Sequence, residues 1–336
     1  MSLHVTRSLP KDQWRDFVEN NPQGNIFHTP EMFQVFARAK GHRPTLWAAI
    51  DNGQILALLL PVQITLKGGL LHRLTTRAVV YGSVLCAPGP QGQEALDLLL
   101  RTYTREVDGA PLFTELRNLS DLETIQPILQ KHGFAYEEHL NYLIDLNRPV
   151  EAIMQDIGSR TRKKIRRGLR WEALTIEELS RREQLFHWYA ILQQTYNQAQ
   201  IPLAHCSFFE AAFDVLYPRG MIKFLIARVD EAYAAVSVEL LHRDIVYGWY
   251  GGMDRAYSQF YPNELLTWHI LEWGAKNGYK TYDFGGAGKP DEDYGPRKFK
   301  AKFGGELVCF GRNTCIHAPF SLRLSELGYK IYRRLL

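Results

Sequence analysis

"MIKFLIARVDEAYAAVSVELL", Met221 to Leu241, is the stretch that decides the fold. Two runs rich in β-branched and aromatic residues meet at Asp230-Glu231, which reads as a β-hairpin. Working outward, "IVYGWYGG" adds a strand, "NELLTWHILEWGAKNG" a helix and "KTYDFGG" the next strand. In the helix, Leu266, Ile270 and Trp273 share a face at i, i+4, i+7. Asn263, after Pro262, is expected to cap its start and Gly278 to stop it.

The first half repeats this order. Helices in "DQWRDFVENN" and "EMFQVFARAKG" lead to a hairpin of "TLWAAI" and "ILALLLPVQI", turned at Asp51-Asn52-Gly53, where Asn-Gly favours the tight turn. A strand near "AVVYGSVL", a helix from Gln93 to Val107, a strand "LFTELRN", a helix ending at Gly133 and a long strand "AYEEHLNYLIDL" follow. The repetition predicts two related domains, 1–148 and 149–336, joined near Pro149. Each is expected to be a mixed α/β (α+β) unit with a mainly antiparallel sheet flanked by helices. Strict β-helix-β alternation is absent from both halves, which argues against a doubly wound dinucleotide fold.

The length, 336 residues, also favours two domains, because a single core stops growing at roughly 250 to 300 residues. With 46% apolar and 23% charged residues the chain has the composition of a globular protein. Net charge is only +4, and seven basic residues fall between Arg160 and Arg170, leaving 33 basic against 36 acidic residues elsewhere. The positive charge is therefore local, and its sum is too mild to imply bulk nucleic-acid binding. Four widely spaced cysteines give neither a disulfide framework nor a zinc pattern. The longest apolar run is "ILALLLPV", too short to span a bilayer, and "MSLHVTRSLP" lacks a signal-peptide core. A cytoplasmic protein is expected.

Several motifs carry less than their letters suggest. "FGGAGKP", Phe284 to Pro290, resembles a phosphate loop, but Pro290 and "DED" follow where a helix N-terminus is needed, so a bend after a strand is the better reading. "SLPK" has the spacing of a serine-lysine pair without its companion motifs. His205-Cys206 are mere sequence neighbours, and no histidine pair flanks a glutamate at metal-ligand spacing.

Two basic stretches remain. In "SRTRKKIRRGLR", Ile153, Ile157, Thr161, Ile165 and Leu169 recur every four residues, so a helix would bury that stripe and fan its cations outward. Either this is a solvated face or a polyanion relieves the unpaired repulsion at i, i+4. In "GPRKFKAKFGG", Gly295 to Gly305, Pro296 suits the start of a short helix and Gly304 the residue after its end. Phe299 and Phe303 then anchor one face, and Lys300 stands apart from Lys298 and Lys302.

"YDFGG" followed by "GPRKFKAKFGGE", with "SRTRKKIRRGLR", "IVYGWYGGMD" and "YPNELLTWHILEWGAKNGY" upstream in that order, resembles the Fem-type peptidyltransferases, the FemAB-like branch of the GNAT superfamily. The resemblance covers the second half and, more loosely, the first. It implies two tandem GNAT-like domains without the helical-hairpin arm of some members. It also implies transfer of an amino acid from aminoacyl-tRNA to an amine of a peptidoglycan precursor, with no cofactor. By the same resemblance Lys300, after Phe299, lies at the reacting carbonyl. Arg162, Lys164 and Arg167 hold phosphate, Tyr247 and Tyr250 line the cleft, and Arg297 of the signature joins the substrate-binding set.

A positioned ammonium stabilises the negative charge that develops when an amine attacks an ester carbonyl. Asp283 and Glu115 are candidate bases for the amine, beside assistance from the substrate itself. In the first half, the segment after "GNIFHTPEMF" offers only Arg38 and Lys40 to an acceptor. An acyl-CoA donor is the alternative, but the turn "YSQFYPNELL" lacks the glycines on which its pyrophosphate would rest. A non-catalytic module binding RNA or a cell-wall precursor is a third reading. The basic, amphipathic "SLRLSELGYKIYRRLL" either packs on its own domain or touches an anionic membrane surface.

Overall fold

The computed structural model describes residues 3–65, 72–107 and 111–335. Its strands, in chain order, are β1 (His4–Thr6), β2 (His42–Pro44), β3 (Trp47–Asp51), β4 (Gln54–Leu59), β5 (Val62–Thr65), β6 (Thr76–Tyr81), β7 (Leu85–Cys86), β8 (Phe113–Arg117), β9 (Ala135–Glu137), β10 (Leu140–Asp145), β11 (Leu174–Glu178), β12 (Ile222–Val229), β13 (Ala232–His242), β14 (Ile245–Met253), β15 (Thr281–Gly286), β16 (Glu306–Cys309) and β17 (Arg312–Ile316). They belong to two compact units, Met1–Glu138 with Phe310–Leu336, and His139–Cys309.

The first unit holds sheets of order β1-β3-β4-β7 and β2-β5-β6-β8-β17-β9, and the second holds one of order β11-β12-β13-β14-β15-β10-β16. Most pairings are antiparallel. Each unit contains one parallel pair, β6 with β8 and β14 with β15, so the repeated order read in the sequence is present in the sheets.

The units do not follow the division at 148/149. The segment read as one long strand, "AYEEHLNYLIDL", is two strands in different units: β9 pairs with β17, while β10 is inserted between β15 and β16. The C-terminal β17 in turn lies between β8 and β9. Each unit thus completes its sheet with a strand from beyond the sequence midpoint or before it. Likewise "ILALLLPVQI" is β4 and β5 in separate sheets, divided at Pro61, which has no N–H for a ladder.

In the second unit the helix Pro262–Lys276 packs Leu265, Leu266, Ile270 and Leu271 on Leu225, Ala227, Ala235 and Val246 of the sheet. Tyr261, with φ 54°, is its N-cap and Pro262 opens its first turn, so Asn263 falls inside the helix instead of capping it. The four-residue stripe belongs to two helices, Val150–Asp156 and Ser159–Gly168, separated at Gly158. Ile153, Ile157, Thr161 and Ile165 are buried as expected; Leu169 is 59% exposed, because the helix ends at Gly168. The stretch between the basic helix and β12 adds β11 and the helices Leu185–Gln198 and Cys206–Leu216.

The exchange has a measurable consequence. A fragment 149–336 lacks β10 and opens the second unit's sheet between β15 and β16, whereas 139–309 keeps all seven strands. In thermal unfolding followed by circular dichroism, 139–309 is expected to melt cooperatively and 149–336 to show no cooperative transition.

Candidate active site

The site grows from the place where β14 and β15 part. Their parallel ladder runs through Ile245↔Thr281, Val246↔Tyr282 and Tyr247↔Asp283, then stops, although both strands continue. Opposite β13, Val238 faces Tyr250 and Glu239 faces Gly248, so Trp249 is a bulge residue that turns β14 away. Past Asp283, β15 therefore offers β14 no further pairing, and its carbonyls need other donors.

The short helix Gly295–Lys300 supplies them. Lys300 Nζ donates to the carbonyls of Phe284 (2.5 Å), Gly285 (3.2 Å) and Gly286 (2.8 Å). Arg297 donates through Nε to Ala287 O (2.7 Å), through Nη1 to Pro290 O (2.9 Å) and through Nη2 to Lys289 O. Phe303, fully buried, and Phe299 pack against each other at 5.3 Å, and Phe303 meets Phe284 at 5.7 Å, so the helix is anchored as its sequence predicts. Lys298 pairs with Asp293 at the surface (2.6 Å). Burial pulls the Lys300 ammonium down to about 8, against the opposing pull of Asp283.

Asp283 is buried, and its Oδ1 accepts the Gly285 amide (2.7 Å) and, weakly, Asn141 Nδ2 (3.4 Å). Burial raises its pKa to about 6, although the Gly285 amide, Lys300 and Asn141 act in the other direction. The same bend is thus gripped from both sides, its amide by a carboxylate and its carbonyls by an ammonium. Gly285 has φ 70°, and a Cβ there would stand 3.1 Å from Tyr247 Oη, so glycine is needed both for the turn and for the tyrosine beside it. Tyr250 joins a wall of aromatic rings, 5.0 Å from Phe209 and 5.9 Å from Tyr196.

Sequence reasoning missed Glu239 and Tyr282, which lie beside the point where the ladder ends. Tyr282 Oη donates to Glu239 Oε2 at 3.2 Å, and Gly248 leaves room for the pair, since a Cβ there would fall 2.7 Å from Tyr282 Oη. Burial raises the Glu239 carboxyl to about 7. The signal was a lone acid in the apolar run "AVSVELL".

The basic helix Ser159–Gly168 has both structural and open cations. Arg162 Nη1 donates to Gln155 O (2.5 Å), and Lys164 pairs with Glu264 (3.1 Å) while lying 4.6 Å from the Tyr261 ring centre. Arg167 sits over Trp171 at 5.6 Å, and Trp171 stacks on Tyr261 at 5.8 Å. At the helix start a cleft of about 690 Å³ is lined by Ser159, Arg160, Lys164, Tyr261 and Lys302 with Gly158 and Thr161. Gly158 N donates to Lys302 O (2.9 Å), tying this cleft to the segment that carries Lys300.

Glu115 belongs to the other unit, on β8. Burial pushes its carboxyl up, but Arg117 (2.6 Å) and Arg312 (3.3 Å) outweigh that and hold it below the ordinary carboxylate range. A doubly paired carboxylate is a poor proton acceptor.

The GNAT acetyltransferase domain pattern matches residues 158–295, which contain the parting strands and the basic helix. The crystal structure of FemX superposes with a TM-score of 0.72 at 15% identity, covering 97% of this chain and 99% of its own. The chain has the FemX fold, with a GNAT domain pattern inside its second unit. A tandem GNAT protein from the clavulanic acid biosynthesis pathway (TM-score 0.60, 11% identity, 94% of this chain and 99% of that one) and L-PGS from Bacillus licheniformis (0.60, 14%, 96% of both) share the arrangement. No curated protein matches it in sequence.

Two outcomes test the site. A carboxyl that stays protonated to about pH 7 in the folded state but ionises near 4.5 when unfolded makes folding less favourable as pH rises through that window. Glu239→Gln should therefore gain stability over the parent from pH 4.5 to 7, on the order of 3 kcal/mol, and no more above it, in urea titrations at each pH. Lys300→Met leaves carbonyls of the buried bend without their donor and should cost about 2–3 kcal/mol in the same measurement at pH 7.5, whereas Arg297→Met, two of whose three acceptors lie at the surface, should cost about 1 kcal/mol.

Proposed function

We propose that this protein transfers an aminoacyl group from the 3′ end of aminoacyl-tRNA to an amine of a peptidoglycan-precursor-like acceptor. The observation that carries the reading is the cleft at the start of the basic helix. It combines the cations Arg160, Lys164 and Lys302 with Tyr261, itself stacked on Trp171. Cations beside half-exposed aromatic rings suit a single-stranded nucleic-acid end, whose phosphates need charge and whose bases need stacking partners. A CoA pyrophosphate instead needs close approach to bare backbone, and here the turn before the helix Pro262–Lys276 places Tyr261 at that point and a proline without an N–H after it. The resemblance of "YDFGG" and "GPRKFKAKFGGE" to the Fem-type peptidyltransferases supports the acceptor class.

The chemistry is a nucleophilic acyl substitution. The amine nitrogen bonds to the ester carbonyl carbon, the bond from that carbon to the ribose oxygen breaks, and one proton passes from nitrogen to the departing oxygen, so no net acid or base is consumed. Negative charge develops on the carbonyl oxygen. Lys300, two residues from the cleft lysine Lys302, stabilises it by exchanging its longest bond, to Gly285 O, for one to the substrate. Tyr247 and Tyr250 form the wall of the opening, and Asp283 holds the bend.

The test offers the purified protein labelled aminoacyl-tRNAs and acyl-CoAs with peptidoglycan precursors. Consumption of aminoacyl-tRNA alone supports the reading, and consumption of acyl-CoA alone overturns it. With the productive donor, Trp171→Ala should weaken donor binding by about 10- to 100-fold. Lys300→Met should lose roughly 100-fold more turnover than Arg297→Met, which disrupts the same bend without removing the charge at the carbonyl.

A further inference from the structure

The helix Pro319–Leu335 has two apolar faces, and the fold uses one of them. On the packed side Leu322 is half-buried, and Ser325 Oγ donates to Leu74 O at 2.7 Å, fixing the helix to the short helix His72–Thr75 of the same unit. On the other side Phe320 is 82% exposed, Leu324 61% and Leu327 57%. Steps of four and three residues place these three on one stripe, turned away from Ser325. Large apolar side chains exposed singly are ordinary, but three in line on one helix mark a contact surface.

The charge pattern says what the surface meets. Arg323 is exposed on the flank of the stripe. In the sequence, the segment from Pro319 to Leu336 holds four basic residues and one acid. Among the described residues no helix is long and apolar enough to cross a membrane. An apolar stripe edged by cations on such a helix fits the boundary between headgroups and acyl chains, where the stripe enters the lipid and the cations meet anionic headgroups.

We propose that the helix Pro319–Leu335 docks in the plane of an anionic lipid surface through Phe320, Leu324 and Leu327, with Arg323 at the headgroups. The inference is independent of which acyl donor the second unit uses.

The test is co-sedimentation of the whole chain with vesicles of phosphatidylcholine alone or with 30% phosphatidylglycerol. Binding to the anionic vesicles is expected to exceed binding to the neutral ones by about tenfold and to weaken as salt is raised. Phe320→Ser/Leu324→Ser/Leu327→Ser should lose at least about tenfold of it with an unchanged melting temperature, since all three side chains are exposed. The basic helix Ser159–Gly168 is intact in that variant, so the loss is assigned to the terminal helix. Arg323→Glu should weaken binding to the anionic vesicles and leave binding to the neutral ones as it was. No binding to anionic vesicles, or equal binding by the triple variant, overturns the proposal. So does a dimer in sedimentation velocity that the triple variant dissolves without any vesicle binding by the parent, which would assign the stripe to a second copy of the chain.

Discussion

Seven consecutive backbone carbonyls, Phe284 to Pro290, constrain the second unit more than any other group. They follow the point at which β14 leaves β15, so the sheet cannot pair all of them, and an inward carbonyl without a donor is costly. Lys300 takes three, Arg297 takes three, and the Leu140 amide takes that of Gly288. The bulge at Trp249, the glycines of the bend and the helix Gly295–Lys300 are parts of one arrangement. Opening the sheet creates the acceptors, and the helix returns two cations to satisfy them.

The exchanged strands tie that arrangement to the rest of the unit. β10 supplies the Leu140 amide to Gly288 O and the Asn141 side chain to Asp283, and it also carries β16, which follows the clasp. A strand from the middle of the sequence thus lies under the bend, and the segment after β16 leaves to complete the sheet of the first unit. The six-stranded sheet of the first unit is closed by a strand from the far end of the chain, whereas the seven strands of the second unit lie within 139–309.

This explains what was legible in the sequence. Hairpins, the helix Pro262–Lys276 and the phenylalanine anchors are local, and periodicity and turn residues reported them. Which strand pairs with which is not local: "AYEEHLNYLIDL" has continuous strand character, and nothing in its alternation marks the change of sheet between Glu137 and Leu140. Pro61 did mark a break, because a proline within an apolar run demotes it to an edge or an end. For the site, spacing singled out Lys300 but was silent on Arg297, which makes three carbonyl bonds of its own. The Glu239–Tyr282 pair joins residues 43 apart and exists only once β13 and β15 are placed. The stacking of Trp171 on Tyr261 beside the basic helix likewise joins residues far apart in sequence.

The occupied state of Lys300 bears on how such a lysine acts. Its three donors already serve the protein, so the charge is positioned before any substrate arrives, and little reorganisation accompanies its use. In the proposed reaction the bond that would give way is the longest, to Gly285 O, and Gly285 is the residue whose amide Asp283 holds. Its carbonyl can therefore lose a partner while the bend keeps its shape. Burial draws the ammonium down to about 8, so it remains mostly protonated at neutral pH and loses charge only at higher pH. The proposed oxyanion role needs three conditions that this lysine meets, a shared tripod, a bend held independently by Asp283, and a charge kept at neutral pH.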